Sequence, residues 1–180
     1  KNSNINIDHP ILDYCTVRGM EIHDLGKGSM INVANPYVSC IGGASEAILI
    51  YNDLSGARTG GSVTITGGQI ICATAGAVKG LRIEHFSGAS VEGLEISDFT
   101  NPVVTTDADN LAIAPRINSP VNSNISFAAI LSTNCQDTTF DPSIRGRAGG
   151  FSTGVNLAGI LNKGVEVNAT KIASACCNGG

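Results

Sequence analysis

The chain lacks tryptophan, carries only 4% aromatic and 14% charged residues, and has no long hydrophobic run. No apolar stretch approaches the roughly 18 residues that span a bilayer, which excludes membrane insertion by a helix. The sparse charges, 11 basic against 15 acidic, form no basic stripe. Nucleic acid is held mainly by phosphate neutralisation, so no nucleic-acid partner is expected. No Cys-x-x-Cys spacing occurs and His9, His23 and His85 are widely scattered, so neither a metal site nor a cofactor is expected. Amphipathic helices are missing too, because Ala73-Thr74-Ala75-Gly76-Ala77 is too short and glycine-rich to form one. What remains, 42% apolar residues and 22 glycines in 180 residues, is enough for one core and too little for several domains.

What is present is a recurring unit. Apolar anchors return every two to three dozen residues in three parallel series: Ile65, Val91, Leu111, Phe140, Val165; then Ile70, Ile96, Ile117, Ile144, Ile172; and Ile50, Ile83, Val104, Ile130, Val155. Each coil would carry three short strands and begin again, which predicts an all-β parallel β-helix, a solenoid with three strand columns per coil. Ser62-Val63-Thr64-Ile65-Thr66 alternates, bends at Gly67-Gly68 and resumes as a strand, and Leu94-Glu95-Ile96-Ser97 places apolar residues inward. Residues 58–175 form clear coils and residues 1–57 less regular ones, together a single domain over 1–180. Expected inward positions are Ile65, Ile70, Ile83, Val91, Leu94, Ile96 and Leu157. Lys1-Asn2-Ser3 and the uncapped run from Ile172 into Cys176-Cys177-Asn178-Gly179-Gly180 suggest a piece of a longer protein. Cys15, Cys40 and Cys72 fall two residues from Val17, Val38 and Ile70 and are expected to be small buried hydrophobes.

The coils Gly67-Gly68-Gln69-Ile70, Gly80-Leu81-Arg82-Ile83-Glu84-His85 and Ser90-Val91-Glu92-Gly93-Leu94-Glu95-Ile96-Ser97-Asp98 resemble the pectin-lyase-like right-handed parallel β-helix proteins. That group includes polygalacturonases, pectate lyases and bacteriophage tailspike depolymerases. The resemblance is one of architecture, good over residues 58–175 and weak before. It implies a right-handed single-stranded helix, a virion tail or extracellular location, a polysaccharide partner and a homotrimer. Three functions follow from it: a tailspike-like domain that binds and cleaves a bacterial surface or other acidic polysaccharide, a non-catalytic shaft or glycan-binding domain, and a secreted pectinase-like lyase or hydrolase.

The catalytic motifs of these enzymes are mostly missing. Gly-His-Gly and Asp-Asp are absent, which disfavours polygalacturonases. Ile7-Asp8-His9 is similar to a pectate-lyase tripeptide, but three residues are a short match and Asp8 better suits a solvated turn. Gly150-Phe151-Ser152-Thr153-Gly154 fits a nucleophile elbow in letters only, since Val155-Asn156-Leu157 continues as a strand where the elbow needs a helix. No rank of outward threonines suggests ice binding, and no Gly-Gly-x-Gly-x-Asp repeat suggests a calcium roll.

Stacking Ile50 on Ile83 on Val104 would put Asp53, Glu84 and Asp107 in one outward column. Strands lie about 4.8 Å apart, so these carboxylates would be about 5 Å and about 9.5 Å apart, spacings that suit retaining and inverting glycoside hydrolysis. Crowded carboxylates raise one another's proton affinity, and Glu84, in the middle and beside His85, is the expected general acid. Tyr51 could stack on a sugar, and Arg82, Arg116, His85 and Asp109 could hold one. Outward charges on a β-solenoid are more often only a solvated face, with corner Asp and Asn that stabilise turns.

Overall fold

Alternating aliphatic and polar side chains specify strands, and in the computed structural model every regular element among the described residues is a strand. The structure describes residues 3–23, 25–41, 46–53, 60–73, 79–118, 128–145, 153–159 and 162–168. In chain order the strands are β1 (Asn4–Asp8), β2 (Ile11–Cys15), β3 (Arg18–His23), β4 (Met30–Ala34), β5 (Tyr37–Cys40), β6 (Glu46–Tyr51), β7 (Ser62–Thr66), β8 (Gln69–Cys72) and β9 (Lys79–Glu84). They continue with β10 (Ala89–Ser97), β11 (Asn101–Thr106), β12 (Ala112–Asn118), β13 (Ala128–Thr133), β14 (Gln136–Phe140), β15 (Ser143–Arg145), β16 (Thr153–Ala158) and β17 (Lys163–Val167).

The strands form two parallel sheets, of eleven and six strands. Three ladders of pairing run through them. The first is β1-β4-β7-β10-β12-β14-β17 and the third is β3-β6-β9-β11-β13-β16. The second, β2-β5-β8, joins the first because β10 and β12 run on through the bend and also pair with β8 and β15. Each strand thus pairs with the strand one repeat away, an all-β arrangement consistent with a β-solenoid.

Bends are made by residues that tolerate left-handed backbone. Between the first and second ladders, His9, Asn35, Gly67 and Gly93 follow one another in rank, all at positive φ (50°, 49°, 63° and 68°). Their amides reach the next repeat, His9 N donating to Ala34 O, Asn35 N to Thr66 O and Gly67 N to Glu92 O. At Gly68 (φ 80°) a Cβ would also strike the Pro36 backbone, so glycine is required there on two counts.

The core is mainly aliphatic and stacked, with Phe86, Phe99 and Phe140 its bulkiest fully buried side chains. Val38, Ile70, Ile96, Ile117 and Ile144 are in register and each fully buried, so the second anchor series stands as expected up to Ile172, which lies outside the described residues. Ile65, Ile83, Val91 and Leu94 are buried as expected too. Leu157 is in the inward column opposite Ser132 but is 43% exposed, because β16 is the last described strand of its sheet. In the first series Ile65 pairs with Val91, but Val91 pairs with Ile113 and Phe140 with Val167, so Leu111 and Val165 belong two residues away on the same face.

The third series needs a correction of one residue. Ile50 pairs with Ile83, but Ile83 pairs with Thr105. Val104 lies opposite Arg82 and faces outward, while Thr105 and then Ser132 occupy the inward column, both with no exposed surface. Of the cysteines, Cys15, Cys40 and Cys72 stack in register as free thiols. Burial, then the neighbouring Cys15 and Cys72, push the Cys40 thiol up to about 12. Cys15 is half-buried, and its partner in phase, Val17, is 64% exposed. Cys176, Cys177 and Gly150-Phe151-Ser152 lie outside the described residues.

Candidate functional site

One group of charged side chains gathers on the outer face of the third ladder. In β9, Leu81 and Ile83 point inward and are fully buried, which turns Arg82 and Glu84 outward. Parallel register then sets Glu21, Leu49, Arg82 and Val104 in one outward column and His23, Tyr51, Glu84 and Thr106 in the next. The bend that follows is a third rank. Asn52 N donates to Glu84 O, His85 N to Thr106 O, Asp107 N to Thr133 O and Asn134 N to Ala158 O, with His85, Asp107 and Asn134 at positive φ.

Glu46 anchors the network. It is 2% exposed, yet its carboxylate faces three cations: Arg18 Nε at 3.2 Å, Arg82 Nη1 at 3.0 Å and Lys79 Nζ at 3.6 Å. Arg82 reaches the other way with Nη2, 2.5 Å from Glu84 Oε2, and so ties a buried carboxylate to a more exposed one. His85 stands between two acids, its Nε2 3.6 Å from Glu84 Oε1 and its Nδ1 3.9 Å from Asp107 Oδ2. Arg82 Nε and His85 Nδ1 are buried without a hydrogen-bond partner among the described residues. Tyr51 donates its hydroxyl to Glu21 Oε1 at 3.1 Å and stacks on His23 with ring centroids 5.3 Å apart. Loss of solvent, then that bond, raises the Tyr51 phenol, and the Arg18 guanidinium holds the Glu21 carboxyl down.

These positions correct the expected column. Asp53, Glu84 and Asp107 do not stack: Glu84 ranks with Tyr51 and Thr106, and Asp107 ranks one position later with His85. Asn52, buried and bonded through Nδ2 to His85 O at 3.2 Å, takes the place expected of Asp53, which is exposed one residue further on. The carboxylate spacings of about 5 Å and about 9.5 Å therefore do not apply. The structure does bring Arg82, Glu84, His85 and Asp107 together, with Tyr51 beside them.

The other two expected sugar contacts lie elsewhere. Asp109 sits on the turn toward the first ladder, bridging Ser87 and Gln136. Arg116 belongs to β12, on the outer side of the eleven-stranded sheet. There a cleft of about 430 Å³ is lined by Glu95, Arg116, Asn118, Ser143 and Arg145.

Sequence reasoning missed Glu46, although a signal exists: Arg18, Glu46 and Lys79 share one register position on successive repeats. It also missed Arg145, whose strand of three residues is too short to show alternation. Comparison with protein families, with curated proteins and with solved structures found no match.

Proposed function

We propose that this chain is a right-handed, single-stranded parallel β-helix that binds an acidic polysaccharide and cleaves it, in the manner of a tailspike depolymerase domain. A virion tail or extracellular setting and a homotrimeric assembly belong to the same proposal. The observation that carries it is the convergence of Glu84, His85 and Asp107 beside Arg82 on one outward face, with His85 within 4 Å of both carboxylates. Hydrolysis needs a proton for the glycosidic oxygen and an acceptor for the proton of the attacking water. Glu84, whose oxygens face Arg82 and His85, is oriented as the acceptor. Asp107 has no cationic neighbour except His85 among the described residues and serves as the donor, a reversal of the role expected for Glu84. As the C–O bond breaks, the leaving sugar takes the Asp107 proton and the attacking water passes its proton to Glu84.

The 2.5 Å Arg82–Glu84 contact also favours a second function, glycan binding without cleavage, since it occupies the carboxylate. Acidic capsular-type and pectic polysaccharides incubated with the chain separate the two. New reducing ends, or absorbance of unsaturated sugars, that disappear in Glu84→Gln and Asp107→Asn support cleavage. Retention of the glycan with neither product supports binding alone, and no retention of any glycan refutes both.

A further inference from the structure

The cleft on the outer side of the eleven-stranded sheet is a different kind of surface from the Glu46 network. The four described arginines divide into two pairs. Arg18 and Arg82 are spent on Glu46, Glu21 and Glu84. Arg116 and Arg145 are exposed and make no ion pair with any described residue, although both line the same cleft.

Their placement follows from the backbone. Arg116 and Asn118 flank the fully buried Ile117, and Ser143 and Arg145 flank the fully buried Ile144, so all four leave the same face. The register sets Arg116 opposite Ser143 and Asn118 opposite Arg145. The arginines are therefore diagonal, one strand spacing and two residues apart, with Cα atoms about 8 Å from each other. At that distance two guanidinium groups reach one ligand group between them, with the hydroxyl of Ser143 alongside.

A carboxylate is already in the cleft, and its wiring is informative. Glu95 lies opposite Arg116 in register but is held by amides: Asn118 Nδ2 donates to its Oε1 at 3.0 Å and Gln69 Nε2 at 3.4 Å. Asn118 Nδ2 also lies 3.1 Å from Ser97 Oγ, which fixes the amide against the floor. No described carboxylate pairs with either guanidinium fork, and the residues lining the cleft carry an excess of one positive charge on a chain whose net charge is −4.

We propose that Arg116 and Arg145 form an oxyanion-binding site for a carboxylate or sulfate group, separate from the Glu84 cluster and independent of its chemistry. Guanidinium forks pair with such groups through two parallel charge-assisted bonds, which a lysine cannot reproduce.

The test is binding of the full chain to polygalacturonate, dextran sulfate, neutral dextran and inorganic sulfate, measured by calorimetry. Wild type, Arg116→Ala, Arg145→Ala and Arg145→Lys are compared. Either polyanion, or sulfate alone, should bind; each alanine variant should weaken it about tenfold and Arg145→Lys should only partly restore it. Binding of polygalacturonate alone assigns a carboxylate, of dextran sulfate alone a sulfate ester, and of free sulfate alone a small inorganic anion. Equal binding of neutral dextran, unchanged binding in the alanine variants, or no binding of any anion overturns the site. Both alanine variants remove exposed side chains that make no ion pair with any described residue, so their melting temperatures should match wild type, and failure of glycan cleavage would leave the outcome readable.

Discussion

Ser132 offers a test of the corrected register in the third ladder. It faces inward between Thr105 and Leu157, has no exposed surface, and its Oγ has no hydrogen-bond partner among the described residues. A buried hydroxyl without a partner costs about 1–3 kcal/mol of lost hydration. Replacing Ser132 with Ala keeps the Cβ and removes the stranded oxygen. The loss is the dispersion of one atom, roughly half a dozen contacts at ~0.1–0.2 kcal/mol each, so less than about 1 kcal/mol. The net expectation is stabilisation by about 1 kcal/mol, which for a chain of this length raises the melting temperature by about 2–4 °C. Thermal and urea unfolding followed by circular dichroism measure it. Thr105→Val is the internal comparison, because Thr105 Oγ1 does accept a bond, from Cys135 Sγ at 3.3 Å, and the gain should be smaller. An unchanged or lower midpoint for Ser132→Ala would refute the inward placement, and with it the one-residue shift that moves Asp107 beside His85.

Two further outcomes follow from groups buried in the ladders. Cys40, with its thiol pushed from the usual value near 9 up to about 12, should resist iodoacetamide at pH 8 until the chain is unfolded; native-state labelling found by mass spectrometry would contradict its burial. Because its folded value is the higher one, its contribution to stability is complete below about pH 9 and lost as the pH rises toward about 12, a loss that should vanish in Cys40→Ala. Glu46→Gln leaves Arg18, Lys79 and Arg82 facing one another without the shared carboxylate; removal of one partner from a buried pair costs about 3–5 kcal/mol, and the partly exposed cations put this case at the lower end. A melting temperature within 1–2 °C of wild type, with about 1 kcal/mol again worth 2–4 °C, would show that the network contributes little.

The second anchor series was legible in the sequence because its inward residues from Ile70 to Ile144 are all isoleucines, and Ile96, Ile117 and Ile144 have polar neighbours on both sides. The third ladder was not, because two adjacent valines, Val103 and Val104, offer alternative phases and the true inward positions after Ile83 are Thr105 and Ser132. Period two cannot be counted through polar residues. That single step moves the site: with Val104 on Ile83, Asp107 would lie one position beyond His85, and in the observed register it lies level with His85, so that Glu84 and Asp107 flank a histidine. Glu46 was hidden for a related reason, since a carboxylate at the start of an apolar strand looks like a solvated end until three cations from other repeats are laid over it. The Arg116–Arg145 diagonal depends on which residues oppose one another across β12 and β15, and spacing along the chain carries no such information.

The pairing of every strand with its counterpart one repeat away has a consequence for how this chain changes over generations. No contact in the ladders depends on position along the stack as a whole, so the loss of one complete repeat replaces two interfaces by one and its duplication replaces one by two, in each case with similar partners. An insertion of a single residue inside a strand has no such remedy, because it exchanges the inner and outer faces of everything up to the next bend. Length is therefore a cheap variable in this architecture and phase an expensive one. A surface feature assembled from neighbouring repeats, such as a pair of arginines on β12 and β15, can be created or erased by changes that leave the rest of the stack untouched.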